Sequence, residues 1–593
     1  MTLSSLIKQR CQQALAQAFP AKVAEIDFAM LDITEATQPK FGHYQFNSAM
    51  KLSKILGENP RQIAEKMVKA LNALSDGSTR RSTPTFSKIE IAGPGFINFS
   101  FNSNFIANTL QAQCRDPHLG VSPPQKSLKV ILDFSSPNIA KEMHVGHLRS
   151  TIIGDCLSKI LAFMGHNVLC LNHVGDWGTQ FGMLIAYLKE TLPAITNPIP
   201  PNVDLGSLAT WYQASKKRFD EDPVFKKQAQ QEVVALQSGE ETSKRAWEHI
   251  CTISRTAYQH IYDLLDIRLI ERGESFYNPL LASVIQQLEK KGLLMHSEGA
   301  KCIYLDGFTN REGDPLPLIL QKSDGGYNYA TTDMAALQHR IQNEQGDWLI
   351  YITDAGQALH FQMVFAAGEK TGIFDPKKVR IDHVPFGLVL KPDGKKFQTR
   401  SGKTERLIDL LHTAIEHAKQ KLKEHNPDIS DSELEASAKV LGINAIKYAD
   451  LSCHRLSDYV FSYDKMLQFE GNTAAFLLYA YVRIQSIQRK VNVDIANLLA
   501  NHTPLILEDP TEIALGLLVC QFNEALENCA RELLPNRLTD YLYRLAEKFH
   551  AFFHQCRVEG TPNQNSRLLL CFATAQVLGQ GLLLLGLKPL ERM

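Results

Sequence analysis

The sequence predicts an α/β protein of several domains: a parallel-sheet domain interrupted by an insertion, a small α+β domain before it and an all-α bundle after it. Three observations carry the prediction. Lys129-Val-Ile-Leu-Asp-Phe134 and Val168-Leu-Cys-Leu171 are short apolar runs fit for buried strands, and the residues between them keep helical spacing. Near the start, two stretches at helical spacing precede two that alternate as strands do. From about residue 465 onward only helical spacing occurs. A chain of 593 residues is also too long for one core, since domains run to about 100–200 residues.

Residues 1–118 form the α+β unit. Apolar spacing predicts helices over 4–19 and 61–74, and the strands Lys88-Ile-Glu-Ile-Ala92 and Phe96-Ile-Asn-Phe-Ser100 meet at the turn Gly93-Pro94-Gly95. Composition breaks at Val121-Ser-Pro-Pro-Gln125, and residues 119–390 make the parallel-sheet domain. Leu148, Ile152, Leu157, Ile160, Leu161 and Met164 mark a helix that Gly165 ends, giving a β-α-β unit. Residues of about 190–300, opened by Asn197-Pro-Ile-Pro-Pro-Asn202, are expected as a helical insertion between two halves of a nucleotide-binding fold. The sheet is expected to resume at Trp348-Leu-Ile-Tyr-Ile-Thr353 and Val384-Pro-Phe-Gly-Leu-Val-Leu390. A connecting region spans 391–464. Four or five helical segments, such as the one carrying Leu538, Tyr541, Leu542, Leu545, Phe549 and Phe552, form the bundle over 465–593.

Sixty-three Lys+Arg balance sixty-three Asp+Glu, so no global field draws the chain to nucleic acid or acidic membranes. The first 118 residues are mildly basic, thirteen cations against nine acids; the last 128 are near neutral. Eleven scattered cysteines include no C-x-x-C, which speaks against a local zinc or redox pair and suits free thiols in a reducing cytosol. No signal peptide or membrane-spanning run is read from the sequence, so a cytoplasmic protein is expected.

Two segments carry chemistry. Pro137-Asn-Ile-Ala-Lys-Glu-Met-His-Val-Gly-His147 lies between a strand and a helix, where unpaired N–H groups and the positive helix end suit a phosphate. Gly146 would let a nucleotide approach the backbone. His144 and His147 could donate hydrogen bonds to a pentacovalent phosphate, or more plainly cap the helix. The second segment is Lys391-Pro-Asp-Gly-Lys-Lys-Phe-Gln-Thr-Arg-Ser-Gly-Lys-Thr-Glu-Arg406. Six cations face two acids there, a composition that could stabilise a leaving pyrophosphate or merely be a solvated face.

With both segments, Asn172-His-Val-Gly-Asp-Trp-Gly-Thr-Gln-Phe-Gly182, Tyr329-Ala-Thr-Thr-Asp333, Phe469-Glu-Gly-Asn-Thr473 and the terminal Glu591-Arg-Met593, the chain resembles the class I aminoacyl-tRNA synthetases, specifically the bacterial-type arginyl-tRNA synthetases. Asp133-Phe-Ser-Ser-Pro-Asn-Ile-Ala-Lys-Glu-Met-His-Val-Gly-His-Leu-Arg-Ser-Thr151 is similar to that family's HIGH signature. The likeness spans nearly the whole chain. It implies a Rossmann-type catalytic domain with an insertion, an N-terminal domain touching the tRNA elbow and a helical anticodon-binding domain. It also implies arginine, ATP with Mg2+ and tRNA(Arg) as substrates, with no tightly bound metal or organic cofactor, no DNA or membrane partner and a monomeric state. The usual KMSKS loop reads Phe397-Gln-Thr-Arg-Ser-Gly402 here and lacks the second lysine. The resemblance gives that lysine's task to Lys141, as in many arginyl enzymes, and assigns Gly146, His144, His147, Lys141, Arg400 and Lys403 to ATP.

A guanidinium has five donors in a planar fork and a permanent charge, so a dry pocket for it must supply carboxylates and carbonyl oxygens. Tyr329 and Asp333, at i and i+4, would share a helix face. The resemblance places Asp133, Asn138, Tyr329, Asp333 and Gln357, with His144, around the arginine. Taken alone, Asp333 could equally be an acid complementing the dipole at a helix start.

Overall fold

The structure, a computed structural model, describes residues 1–76, 84–196, 203–323, 325–395, 397 and 405–592. It divides into two compact units, one comprising 1–123, 469–583 and 588–593, the other 124–468 and 584–587.

The second unit is built on a five-stranded sheet. Its members are β1 (Lys129–Asp133), β2 (Asn167–Asn172), β3 (Ile270–Glu271), β4 (Trp348–Tyr351) and β5 (Arg380–His383), in the order β5-β4-β1-β2-β3 and parallel throughout. Val130, Ile131 and Leu132 on β1, like every residue of β4, are buried, as strands covered on both faces must be. Helix α1 (Val145–Phe163) follows β1 and is buried on almost every face. Gly154 lets the Phe134 ring lie against this helix, since an added Cβ would sit 2.2 Å from that ring. Arg149 on α1 forms an ion pair of 3.2 Å with Asp450, both fully buried, and donates to the Ser457 carbonyl at 3.1 Å. A pair this dry is retained only with good geometry and added hydrogen bonds.

The insertion supplies α2 (Leu205–Glu221), α3 (Pro223–Gln237), α4 (Glu241–Leu265) and α5 (Glu274–Lys290). Two expectations need correction. A three-stranded antiparallel sheet, Met295–Ser297, Ala300–Thr309 and Pro315–Gln321, follows these helices where the sequence reading continued to the parallel sheet. The fifth sheet strand is Arg380–His383, earlier than expected. Val389–Leu390, expected in that sheet, instead pairs with Tyr459–Val460 in a two-stranded sheet. Helices α6 (Tyr329–Gln342) and α7 (Ala358–Lys370) flank β4, and α8 (Leu407–His425) packs on α9 (Asp431–Leu451).

In the first unit the hairpin Phe86–Ala92 and Phe96–Phe101 turns at Gly93 and Gly95, both at positive φ, and two short strands extend its sheet. The helices Leu3–Ala18 and Pro60–Asp76 stand where apolar spacing predicts them. Six helices among the described residues, from Ala474–Val491 to Gln564–Leu584, make the bundle. The sequence treats these as separate domains at opposite ends of the chain; contacts join them in one unit. Tyr44 donates to Glu524 at 2.9 Å and accepts from Gln521 at 2.8 Å, while Gln113 donates to the Val519 carbonyl at 3.2 Å. The helix Gln564–Leu584 is long and apolar enough to cross a membrane, contrary to the sequence reading, yet 72% of its most apolar window is buried. It is a core helix of the bundle.

Candidate active site

The loop from β1 to α1 holds three non-glycine residues in the left-handed region, Ser135 (φ 74°), Ser136 (φ 47°) and Ala140 (φ 60°). Such conformations persist where the surroundings over-determine them, and they cluster at functional sites. Here the Ser135 amide donates to Ser150 Oγ on α1 at 2.9 Å, and Ser135 Oγ lies 2.8 Å from the Tyr262 hydroxyl. The Ala140 amide donates to Ser254 Oγ at 3.1 Å. Tyr258 places its hydroxyl 2.6 Å from the Asn138 carbonyl and 2.8 Å from that of Lys141. Helix α4 of the insertion therefore moulds the signature loop.

His144 is the N-cap of α1. The Gly146 amide donates to His144 Nδ1 at 3.1 Å, and the His144 amide donates to His147 Nδ1 at 3.1 Å, a reciprocal capping box with the rings 4.1 Å apart. Both histidines do cap the helix, and the capping has a chemical consequence. An Nδ1 that accepts carries no proton, so each neutral ring keeps its proton on Nε2. Burial, and then the Lys141 charge, lowers the His144 pKa; burial and the neighbouring His144 hold His147 down to about 3. Two neutral Nε2–H donors result. Gly146 has a requirement besides nucleotide approach: an added Cβ would meet His144 Cε1 at 2.9 Å and Nδ1 at 3.1 Å.

The second signature reaches the first. His144 forms an antiparallel bridge with Arg406, and the Leu407 amide donates to the Met143 carbonyl at 2.8 Å. Arg406 is bidentate to Asp409, 2.7 Å on each arm, and 4.0 Å from Glu142. Arg400 and Lys403 lie outside the described residues. The Lys141 ammonium sits 5.3 Å over the Tyr212 ring of α2, so it rests on the insertion.

Asp133, Asn138, Tyr329, Asp333 and Gln357 border the C-terminal ends of β1 and β4, where parallel sheets place their ligands. Asp333 is the fifth residue of α6, beyond the first turn, so the dipole does not account for it. Its Oδ2 lies 2.5 Å from His360 Nε2, and the exposed Tyr329 ring meets His360 edge-on at 5.8 Å, so the predicted face is shared. Gln357 caps α7 and donates to Asp354 at 2.6 Å. The exposed Asn138 bridges Gly175, with its Oδ1 where a Cβ at 175 would stand. Asp133 is already balanced: its Oδ2 lies 2.8 Å from the buried Arg340, and Ser136 donates to Oδ1 at 3.0 Å.

Sequence reasoning missed Glu274, His360 and Arg340. Glu274, at the start of α5, is pushed up to about 8, first by burial and then by the charges of Asp333 and Asp176. Asp176 accepts from the Ser275 amide and hydroxyl and has Arg255 at 3.5 Å. Asp133 and Asp176 thus have arginine partners, whereas among the described residues no Lys or Arg lies within 4 Å of Asp333 or Glu274. A carboxylate such as Asp333, met by His360 and by no Lys or Arg among the described residues, suits an incoming cation. Among the described residues no group of three or more His, Cys, Asp or Glu is placed to hold a metal ion.

Residues 111–463 match the family of class I (R) tRNA synthetase catalytic domains, 477–593 the DALR anticodon binding domain and 5–101 the arginyl tRNA synthetase N terminal domain. The chain is 60% identical to an arginine–tRNA ligase of Protochlamydia amoebophila and 50% identical to one of Chlamydia abortus, each match covering 100% of both chains. Among solved structures, the arginyl-tRNA synthetase of Plasmodium falciparum is 34% identical with a TM-score of 0.83, again over 100% of both chains. The Thermus thermophilus arginyl-tRNA synthetase, 23% identical with a TM-score of 0.79 over 100% of both, shares the fold. With its paired histidines, bridged signatures and full-length likeness, the chain belongs to the arginine–tRNA ligases of the class I tRNA synthetases.

Proposed function

We infer that the chain activates L-arginine with ATP and transfers it to the terminal ribose of tRNA(Arg). The observation that carries this reading is the bridge between His144 and Arg406, which joins the first signature to the described end of the second. In the first step a carboxylate oxygen of arginine attacks the α-phosphorus, the bond to the bridging oxygen breaks, and pyrophosphate leaves. The Nε2–H groups of His144 and His147 donate to the phosphate oxygens as charge develops, in a geometry fixed beforehand by capping. Magnesium enters with the triphosphate, which supplies its oxygen ligands. Lys141, Arg400 and Lys403 neutralise the leaving pyrophosphate, and Gly146 keeps the His144 ring in place. Asp133, Asn138, Tyr329, Asp333 and Gln357 receive the arginine. In the second step the ribose hydroxyl attacks the mixed anhydride and releases AMP.

The helical segment reads the anticodon and residues 1–118 touch the tRNA elbow, in a monomeric cytoplasmic enzyme without DNA or membrane partners. Pyrophosphate exchange across the twenty amino acids, with and without tRNA(Arg), tests this reading. Exchange with arginine alone, and only when tRNA is present, is expected; exchange driven by another amino acid would overturn it.

A further inference from the structure

We propose that His360 is a positioning residue for arginine recognition: its Nε2–H holds Oδ2 of Asp333 and leaves Oδ1 as the oxygen presented to the guanidinium. The proposal rests on the reading of Asp333 as part of the arginine pocket. Three residues of that pocket converge on this histidine. Tyr329 packs its ring edge against it at 5.8 Å, Asp333 lies 2.5 Å from it, and Gln357 begins the helix whose first turn carries it. The side chains of His360 and Asp333 are 24% and 20% exposed, so solvent reaches the pair and it is not sealed in the core.

Chemistry gives the contact a purpose. A carboxylate with two free oxygens can rotate about its terminal bond, which is broad and roughly two-fold, and can accept an ammonium as readily as a guanidinium. Fixing one oxygen removes that freedom and sets the plane in which the other accepts. The guanidinium fork then needs further acceptors, and the carboxyl of Glu274 is close enough to Asp333 for their charges to interact. Arg340 cannot take the place of His360, because its guanidinium is engaged with Asp133.

The test uses full-length enzyme and the arginine and ATP KM values in tRNA-dependent charging. His360→Gln places an amide nitrogen where Nε2 stands, His360→Asn places it where Nδ1 stands, and His360→Leu has none. The Leu and Asn variants should raise the arginine KM by about tenfold or more, the scale of one lost hydrogen bond to a charged group. The Gln variant should return to within about threefold, and the ATP KM should stay within about twofold throughout. In an Asp333→Asn background, His360→Leu should add little, because interacting residues are not additive. Equal arginine KM values for the Gln and Asn variants would overturn the proposal. So would a wild-type arginine KM in His360→Leu when Asp333→Asn raises it. An unaltered arginine KM in Asp333→Asn itself would instead remove the pocket reading on which the proposal rests.

Discussion

The imidazoles of His144 and His147 cap one helix reciprocally, each accepting a backbone amide at Nδ1 over 3.1 Å, and this contact decides which proton each ring carries. With Nδ1 accepting, each ring keeps its proton on Nε2, and burial lowers both pKa values, that of His147 to about 3.

Replacing either histidine with Ala should therefore slow adenylate formation by about 10²–10³, the scale for losing one preorganised donor. Ground-state binding of ATP should change less, because the donors gain strength as charge develops. The rate should also show no titration of His147 between pH 6 and 8, since its pKa lies at about 3. Single-turnover activation across that range checks both points, and wild-type rates in both Ala variants would reduce the pair to caps.

Gly146→Ala separates helix stability from chemistry. Ala is the better helix former by about 1 kcal/mol, so the helix itself should not suffer. The new Cβ would stand 2.9 Å from His144 Cε1 and push the ring aside. Activation should fall by about tenfold or more while thermal unfolding stays near wild type, because a displaced donor loses most of its transition-state hydrogen bond. An unfolding midpoint that drops with the activity would point to a packing defect.

Lys141→Ala should slow adenylate formation by about 10–100-fold, the scale of one charge contact, and transfer to tRNA much less. Only the first step separates charge on a triphosphate. Its ammonium lies 5.3 Å over the Tyr212 ring in the structure. Rapid-quench measurement of the two steps decides, and equal slowing of both would leave Lys141 no specific part in activation.

Glu274 should make arginine binding depend on pH. Its carboxyl titrates at about 8 because burial and the nearby Asp333 and Asp176 disfavour its charge, so it is protonated in the empty pocket at neutral pH. A guanidinium favours the ionised form, lowers that pKa and expels the proton. Binding should therefore tighten as pH rises toward 8, by up to about tenfold per unit, and level off above. Calorimetry of arginine binding at pH 7, in buffers of different ionisation enthalpy and in the presence of tRNA(Arg), should show net proton release that Glu274→Gln abolishes. Release unchanged in the Gln variant would assign the proton elsewhere.

The legible parts of the molecule are those whose cause is local. β1 announces itself as an apolar run because both its faces are covered, β2 keeps the same apolar run though only its end is buried, and the signature loop sits between strand and helix as its motif requires. Arg-Ile-Asp-His, the fifth strand, has no such run; its pairing with Trp348–Tyr351 comes from the sheet around it. Ala300–Thr309 mixes Lys301 and Asp306 with apolar residues and hides a strand in a region read as leading back to the parallel sheet. The union of the two chain ends through Tyr44, Gln521 and Glu524 leaves no local pattern at all. The same distinction holds in the site. The i, i+4 spacing puts Tyr329 and Asp333 on one helix face, and the resemblance assigns them to the pocket, whereas His360 touches Asp333, and Glu274 feels its charge, from other elements along the chain.

Asp333 should set the preference for arginine. An arginine entering the pocket loses its hydration, and an unpaired buried cation is costly by several kcal/mol. Asp133 cannot supply the missing charge because Arg340 already neutralises it at 2.8 Å. Asp333→Asn keeps the shape and removes the charge, so the arginine KM should rise and kcat/KM should fall by about 2–5 kcal/mol in transition-state terms. Citrulline, neutral and nearly the same shape, should lose much less, since it never depended on the carboxylate. A folding defect would harm both ligands alike, so the ratio of the two losses is the quantity to measure. Arginine activation within about threefold of wild type in Asp333→Asn would remove the residue from recognition, because losing one side of a buried charged pair cannot be that mild.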